Sequence, residues 1–489
     1  LLKLNGKAVK IWKTPWSPKG VSLFFFLLIT GAILFTVQFT VPWLIGFDGY
    51  FHIKYSYLLS KTGFIESLPY LQFTIHKEYF RDHHLLFHYL LIPFTFGEDL
   101  INGGKIAALF FSILPSLAMY LLFQYSGIRF PSVWVISALL SSQPFLYRVS
   151  LLRVHTLSLA FLIIILLCHV KRKNLLILVV SILFVWLYDA FPLILLISGV
   201  YTFSVWIIDR RLEWRPMLFT SISIIIALVI NPYFPENITS FFYNIYRTLF
   251  LKTPDIQLGI EWKPYDTWSL LTNSLPVFIV FLVGILSIPL SKRLSPEAYA
   301  SLIISIVFLL LTMKSRRFIE YWPPFVFIST ALIVGKNLKA RYLVVTGLLL
   351  LPLLWYNLKE TKMEIKKSIN PKTYERAASW LEEHTSEGEI VFNADWDDFP
   401  FLFFYNHKNY YIVGLDPMYM YSYDKELYLL YKSITRGKIE QPAKIIKEKF
   451  HSRFVFLDRV HLSFYKQLIN DPYAKKVYED RNSIVFELL

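Results

Sequence analysis

The sequence predicts a polytopic α-helical membrane protein that ends in a separate α/β domain, and three observations carry that prediction. Apolar residues fill 55% of the 489 positions and aromatic residues 18%, with a positive mean hydropathy that a soluble globular chain of this size does not show. Apolar runs of spanning length recur as far as residue 357, after which short helix-like and strand-like segments alternate. The charge divides at the same place. Residues 1–357 hold 30 Lys and Arg against 15 Asp and Glu, whereas residues 358–489 hold 20 of each. The net charge of +15 therefore belongs to the membrane part, where basic loops set orientation, and it does not indicate a nucleic-acid partner.

Apolar runs fall at about 21–45, 104–124, 131–147, 154–170, 174–189, 190–208, 216–232, 270–290, 298–313, 318–335 and 340–357, which is about eleven spanning helices on the length criterion. The stretch Leu23–Val41 is long enough to span, and no small-residue cleavage pattern follows it, so it reads as a retained helix. The run 85–96 is too short and reads as an interfacial helix. Five basic clusters fall on one side: Lys3 to Lys19, Lys171 to Lys173, Arg210-Arg211, Lys292-Arg293, and Lys336 to Arg341. The excess of Lys and Arg in cytoplasmic loops then places the amino terminus in the cytoplasm and residues 358–489 outside. The loops 46–103 and 233–269 are external as well, and the first is longer than connectivity requires, a common mark of function. Within 233–269, SFFYNIYRTLFL has the pattern of an interfacial amphipathic helix. The single cysteine, Cys168, excludes an internal disulfide.

From about Pro371 the elements are those of a soluble domain. PKTYERAASWLEEH reads as a helix opened by proline, EIVFNA and NYYIVGL as strands, DKELYLLYKSITRG as a helix closed by glycine, and PAKIIKEKFH as another helix. RFVFLDRV and SIVFELL are strand-like.

The residues able to carry chemistry gather in the external set. Asp48 follows an apolar span in FDGYFHIK, where a carboxylate either faces water as part of an interfacial cap or holds something positive. Arg148, Arg153 and His155 stand where a helix re-enters the membrane. Snorkelling arginines and a structural histidine are the ordinary alternative there. Glu261 is a carboxylate in an otherwise aromatic and apolar loop, and Arg316 and Arg317 form a helix-end pair suited to clamp a phosphate or to anchor the chain. Asp48, His155 and Glu261 make an oxygen-and-nitrogen donor set for Mn²⁺ or Mg²⁺. A second-rank metal candidate is RDHHLLFH, with Asp82, His83, His84 and His88, since positions four apart share a helix face.

In their common order these motifs resemble the GT-C superfamily of integral-membrane glycosyltransferases, and specifically the catalytic subunit of oligosaccharyltransferase. In that family a first external loop carries a metal-binding aspartate followed by aromatic residues, as FDGYFHIK does at Asp48. A second metal-binding aspartate lies seven residues beyond an arginine, and seven beyond Arg148 stands His155. The family's late loop carries a glutamate followed by proline and tryptophan, matched by Glu261, Pro264 and Trp268. Its donor-contacting arginine is matched by Arg317 in RFIEY, and its W-W-D acceptor motif in part by Trp396-Asp397, with Asp395 in place of the first tryptophan. A strand-to-helix turn capped by Asp397 or Asp398 is the plain alternative for that last segment.

The resemblance implies a transferase that moves a sugar or oligosaccharide from a polyprenyl phosphate or pyrophosphate donor to an acceptor at the external face of a cytoplasmic membrane. Asp48 and Glu261 would be catalytic, and Asp48, His155 and Glu261 would hold the metal. Arg317, with Arg316 and Arg153, would bind the donor phosphate, and Trp396 and Asp397 would meet a polypeptide, lipid or glycan acceptor. With His155 in place of a carboxylate, a shift toward metals that accept imidazole is expected. A metal-independent transferase with Asp48 as general base is the alternative, and a non-catalytic transporter or scaffold for envelope polysaccharide is a further one.

Overall fold

The computed structural model describes residues 18–250, 256, 259–290 and 293–489. The amino-terminal Lys3, Lys7, Lys10 and Lys13, loop residue Lys292, and residues 251–255 and 257–258 of the loop 233–269 lie outside the described set.

Each apolar run contains a helix, but not every run is one unbroken span. Among the described residues five helices are long and apolar enough to cross a membrane, or seven if each of two bent pairs counts as one span. The expected eleven is not reached on that measure, because Pro131–Leu140, Asn174–Leu187, Arg215–Val229 and Trp322–Val334 stop at 10 to 15 residues. The reason is local chemistry. In the run 131–147, Ser142 leaves the helical conformation and its side chain accepts from the Phe145 N–H at 3.3 Å, while Pro144 lacks the N–H that would continue the ladder. Two helices result. The second, Gln143–Val149, meets Val154–Val170 at 102°, so Arg148 and Arg153 stand at a corner rather than in a spanning helix. In the run 270–290, Thr267–Asn273 and Leu275–Leu286 meet at 82°, with Pro276 opening the second helix. Phe24, Phe25, Leu28 and Ile29, like Leu348, Leu349 and Trp355, point out of the bundle, apolar faces suited to hydrocarbon.

Helix Ala340–Lys367 carries the chain out of the bundle and through residue 358, and the α/β elements begin with helix Lys372–His384. Five strands form one mixed sheet: β1 (Ile390–Asn393), β2 (Tyr410–Tyr411), β3 (Phe454–Asp458), β4 (Ala474–Glu479) and β5 (Ser483–Leu488), in the order β2-β1-β3-β5-β4. The first three are parallel and β5 is antiparallel to both its neighbours. NYYIVGL yields only the two residues of β2, because the N–H groups of Ile412 and Val413 donate to the Asn393 side-chain oxygen instead of a strand. β4 is an edge strand of sequence AKKVYE, whose lysines hide any apolar alternation.

The loop 46–103 is largely ordered and joins the two parts. Residues 70–73 run beside β2, with the Gln72 N–H donating to Tyr411 O at 2.9 Å and the Tyr411 N–H to Tyr70 O at 2.8 Å. Helix Asp48–Thr62 packs Tyr50 against Phe401 and Phe404, at ring separations of 4.9 and 5.1 Å, and Phe51 against Phe403 at 5.8 Å. Its other face meets the bundle at Gly49, where a Cβ would lie 3.1 Å from the Leu152 Cβ. That close approach sets Asp48 beside Arg153.

Candidate active site

Asp48 opens its helix, and 31% of its side-chain surface remains open to a cavity of about 520 Å³ between the bundle and the sheet unit. Arg148, Arg153, His155, Glu261, Arg317 and Trp396 line the same cavity. Asp48, the helix corner and the loop around Glu261 are far apart in the chain and meet here through the fold.

Their arrangement is an arginine and carboxylate network. Arg153 pairs with Asp48, Nε to Oδ2 at 2.9 Å, and its Nη1 donates to Glu261 Oε2 at 2.9 Å. Glu261 also receives Arg148 Nη2 at 3.4 Å and lies 3.4 Å from Arg317 Nε, and Arg148 is fastened to the buried Glu320. Burial alone would raise the Glu261 carboxyl, but Arg153, Arg317 and Arg148 hold it well below its ordinary range. Asp48 is shifted the other way. Desolvation raises it, the Glu261 charge adds to this, and the attraction of Arg153 does not cancel them. The two carboxyls of one network are thus shifted in opposite directions.

Arg317 keeps donor capacity to spare. Its guanidinium lies 4.3 Å from the Trp262 ring centroid, its Nη2 is 3.5 Å from His155 Nε2, and its Nε has no partner with hydrogen-bond geometry. Arg316 faces away from the cavity. Its Nε donates to Pro264 O at 3.2 Å and its backbone N–H to Lys263 O at 3.1 Å, so it staples the loop that carries Glu261. Trp268 is 71% exposed and also points elsewhere.

The structure does not bring Asp48, His155 and Glu261 together as a metal donor set. Among the described residues no group of three or more His, Cys, Asp or Glu is spaced to hold a metal ion. The guanidinium of Arg153 bonds both carboxylates, and His155 Nε2 faces the Tyr188 hydroxyl at 3.0 Å. Asp82, His83 and His84 line the cavity without forming an ion site. Asp82 instead accepts from His88 Nδ1 at 2.7 Å and from the His84 N–H at 2.9 Å.

Trp396 stands at the cavity, 6.3 Å from the Phe47 ring, but Asp397 lies in an acidic cluster of the sheet unit with Asp395, Asp398 and Asp458. Burial first, and then Asp395 and Asp458, push the Asp397 carboxyl up to about 7. Asp398 occupies the cap position of helix Phe399–Tyr405, yet its oxygens accept from the Tyr374 hydroxyl at 2.9 Å and the Asp395 N–H at 3.1 Å rather than from the helix. Sequence reasoning gave no role to Glu320, Tyr188 or His52, the first fastened to Arg148 and the other two lining the cavity. The spacing of Asp48 and His52, one helical turn apart, was a signal that could have found His52.

No protein-family model matches the chain, and no curated protein sequence matches it. Solved structures do. The oligosaccharyltransferase of Archaeoglobus fulgidus in its apo form superposes with a TM-score of 0.65 at 15% identity, over 91% of this chain and 70% of that one. Archaeal oligosaccharyltransferase AglB from the same organism, in complex with an inhibitory peptide and a dolichol-phosphate, gives 0.64 at 14%, over 90% and 70%. ArnT from Cupriavidus metallidurans bound to undecaprenyl phosphate gives 0.60 at 12%, over 96% and 98%. The chain has the GT-C fold. At these identities the likeness is one of fold, and it spans both the helical bundle and the sheet unit, as the coverage of this chain requires. The A. fulgidus enzyme has also been solved in complex with Zn and sulfate.

Proposed function

We propose that this protein is a multi-pass membrane glycosyltransferase that moves a sugar or oligosaccharide from a polyprenyl phosphate or pyrophosphate donor to an acceptor at the external face of a cytoplasmic membrane. Its amino terminus is cytoplasmic, and residues 358–489 form the external domain. The observation that carries the reading is one cavity lined by a partly open carboxylate, Asp48, and by an arginine, Arg317, whose Nε has no partner with hydrogen-bond geometry. Two of the fold's solved relatives are complexes with polyprenyl phosphates, dolichol-phosphate and undecaprenyl phosphate, which supports a donor of that class.

In the step that follows, the bond from the sugar's anomeric carbon to the donor phosphate breaks as the bond to the acceptor forms. The phosphate leaves with the electron pair, and Asp48 takes the acceptor's proton. Arg317, backed by Arg148 and Arg153, meets the charge that develops on the phosphate. Glu261 holds the three guanidinium groups in place. The acceptor, whether polypeptide, lipid or glycan, enters past Trp396. The expected Mn²⁺ or Mg²⁺ does not fit the donor set found, because an ion bonding Asp48 and Glu261 would have to displace the guanidinium that already bridges them. The donor set found suits the metal-independent transfer, with Asp48 as general base.

The test is binding of undecaprenyl phosphate to detergent-purified protein. Arg317→Ala is expected to weaken it about tenfold or more, the scale of a charge-assisted contact to phosphate. Equal binding of undecaprenol, which lacks the phosphate, would refute the reading.

A further inference from the structure

The turn that carries Trp396 to the cavity is held by a histidine with no part in the step above. Residues 394–398 follow β1, and Trp396 stands between the two loops that bear the site's carboxylates. Its ring is 6.3 Å from that of Phe47, the neighbour of Asp48, and a Cβ on Gly259, two residues before Glu261, would lie 3.8 Å from its Cη2. The turn crowds negative charge: Asp395, Asp397 and Asp398 lie on it, and Asp458 ends the parallel neighbour β3. A cation faces them. His461 Nδ1 lies 2.8 Å from Asp458 Oδ1, and its Nε2 lies 3.5 Å from Asp395 Oδ2. Ionised carboxylates only accept, so both ring nitrogens carry protons and the ring is an imidazolium. Burial works against that charge, but Asp395 and Asp458 raise the histidine to about 10. Asp395 passes the hold on. Its other oxygen accepts from the Trp396 N–H at 2.7 Å, its own N–H donates to Asp398 Oδ2 at 3.1 Å, and its carbonyl accepts from Asn393 Nδ2 at 2.7 Å.

We propose that His461 is a positioning residue of the acceptor site: its imidazolium, held between Asp395 and Asp458, fixes the turn that presents Trp396 to the cavity. The proposal rests on the transferase reading above, in which the acceptor enters past Trp396. Without the cation, four carboxyl groups share one turn, and their repulsion drives Asp395, and Trp396 with it, toward solvent. The groups that face the cluster from other elements do not supply the missing charge. Tyr374, on helix Lys372–His384, donates its hydroxyl to Asp398 at 2.9 Å, and Tyr431, on helix Lys425–Thr435, donates to Asn393 O at 3.0 Å. Arg459, beside Asp458, is paired with Glu479 at 2.7 Å instead.

Two measurements test this. The first needs no substrate: fluorine-19 spectra of the protein labelled with fluorotryptophan, in which Trp396→Phe identifies the Trp396 signal. In His461→Gln that signal is expected to shift and broaden at pH 8, and to shift less at pH 5, where protons on the carboxylates relieve their repulsion. His461→Lys, which keeps a cation, is expected to hold the signal near its wild-type place. A His461→Gln protein that melts lower with the Trp396 signal unmoved overturns the proposal, as does a signal that moves equally at both pH values or as far in His461→Lys. The second measurement is sugar transfer from polyprenyl-linked sugar lipids extracted from native membranes to an envelope extract of the same cells. At pH 8 His461→Gln is expected to raise the extract concentration for half-maximal rate about tenfold, the scale of a lost charge-assisted contact, with a smaller change in the maximal rate. An unchanged half-saturation overturns the proposal and leaves the transferase reading standing. Undecaprenol bound as tightly as undecaprenyl phosphate overturns the transferase reading, whatever the fluorine-19 signal does.

Discussion

Removing the Arg153 guanidinium is the perturbation that reaches furthest into this site. Arg153→Ala deletes an ion pair of 2.9 Å to Asp48 and a hydrogen bond of 2.9 Å to Glu261, and leaves two carboxylates facing one another across the cavity. Breaking one partner out of a buried ion pair costs about 3–5 kcal/mol. Asp48 keeps 31% of its side-chain surface open, and Glu261 retains Arg148 at 3.4 Å, so roughly 2–3 kcal/mol is expected here. The sign with pH follows from the same charges. The variant's carboxylates relieve their repulsion by binding a proton, so the deficit relative to wild type is largest above neutrality and shrinks toward pH 5. Thermal melts in detergent between pH 5 and 8 read both the loss and its pH dependence. Stoichiometric Mn²⁺ binding by wild type, lost in Asp48→Ala and Glu261→Ala, would refute the argument that arginine fills this place.

Three further outcomes follow from the packing and the charges. Tyr50→Ala empties the wholly buried contact with Phe401 and Phe404 and the hydrogen bond from the Leu44 N–H, and it is expected to cost about 3–5 kcal/mol in melts while loosening Asp48 from the sheet unit. Asp397, with a folded-state pKa near 7 against an unfolded value near 4, contributes stability when protonated at low pH and loses it as pH rises from 4 through 7, so Asp397→Asn should raise the melting temperature at pH 8 and change it little at pH 4. Gly49→Ala places a Cβ about 3.1 Å from Leu152, and a transfer assay should show a loss that the accompanying melting curve does not match, because the strain displaces Asp48 from Arg153.

Much of this architecture is legible along the chain because it depends on local pattern. Runs such as 100–125 and 296–314 announce helices by composition, and Asp99 and Ser295 cap them as such residues do. Helices Lys372–His384, Lys425–Thr435 and Ala443–Phe450 are legible by period, as are β1, β3 and β5, whereas the short helices Pro417–Tyr423 and Leu462–Ile469 are not, lysines conceal the alternation of β4, and Asn393 cuts β2 short. The breaks at Ser142 and Ser274 are harder to read, since a hydrophobic window averages over a serine and a proline that each interrupt one turn. The break at Ser142 frees helix Gln143–Val149, and the 102° corner after it places Arg148 and Arg153 at the cavity.

The sequence by itself determined the class of protein: apolar periodicity and charge asymmetry are sums over many residues, and no single contact overturns them. It also determined which side chains were available, since Asp48, Glu261, Arg153, Arg317 and His155 are conspicuous wherever they stand. What they do together was decided by tertiary structure alone. Asp48, His155 and Glu261 read as three metal ligands while only their donor atoms are counted. In the fold, Arg153 lies between two of them, and Tyr188 and Arg317 meet the third. Electrostatic roles depend on distances of a few ångströms between residues more than a hundred positions apart, and the chain order carries no record of those distances.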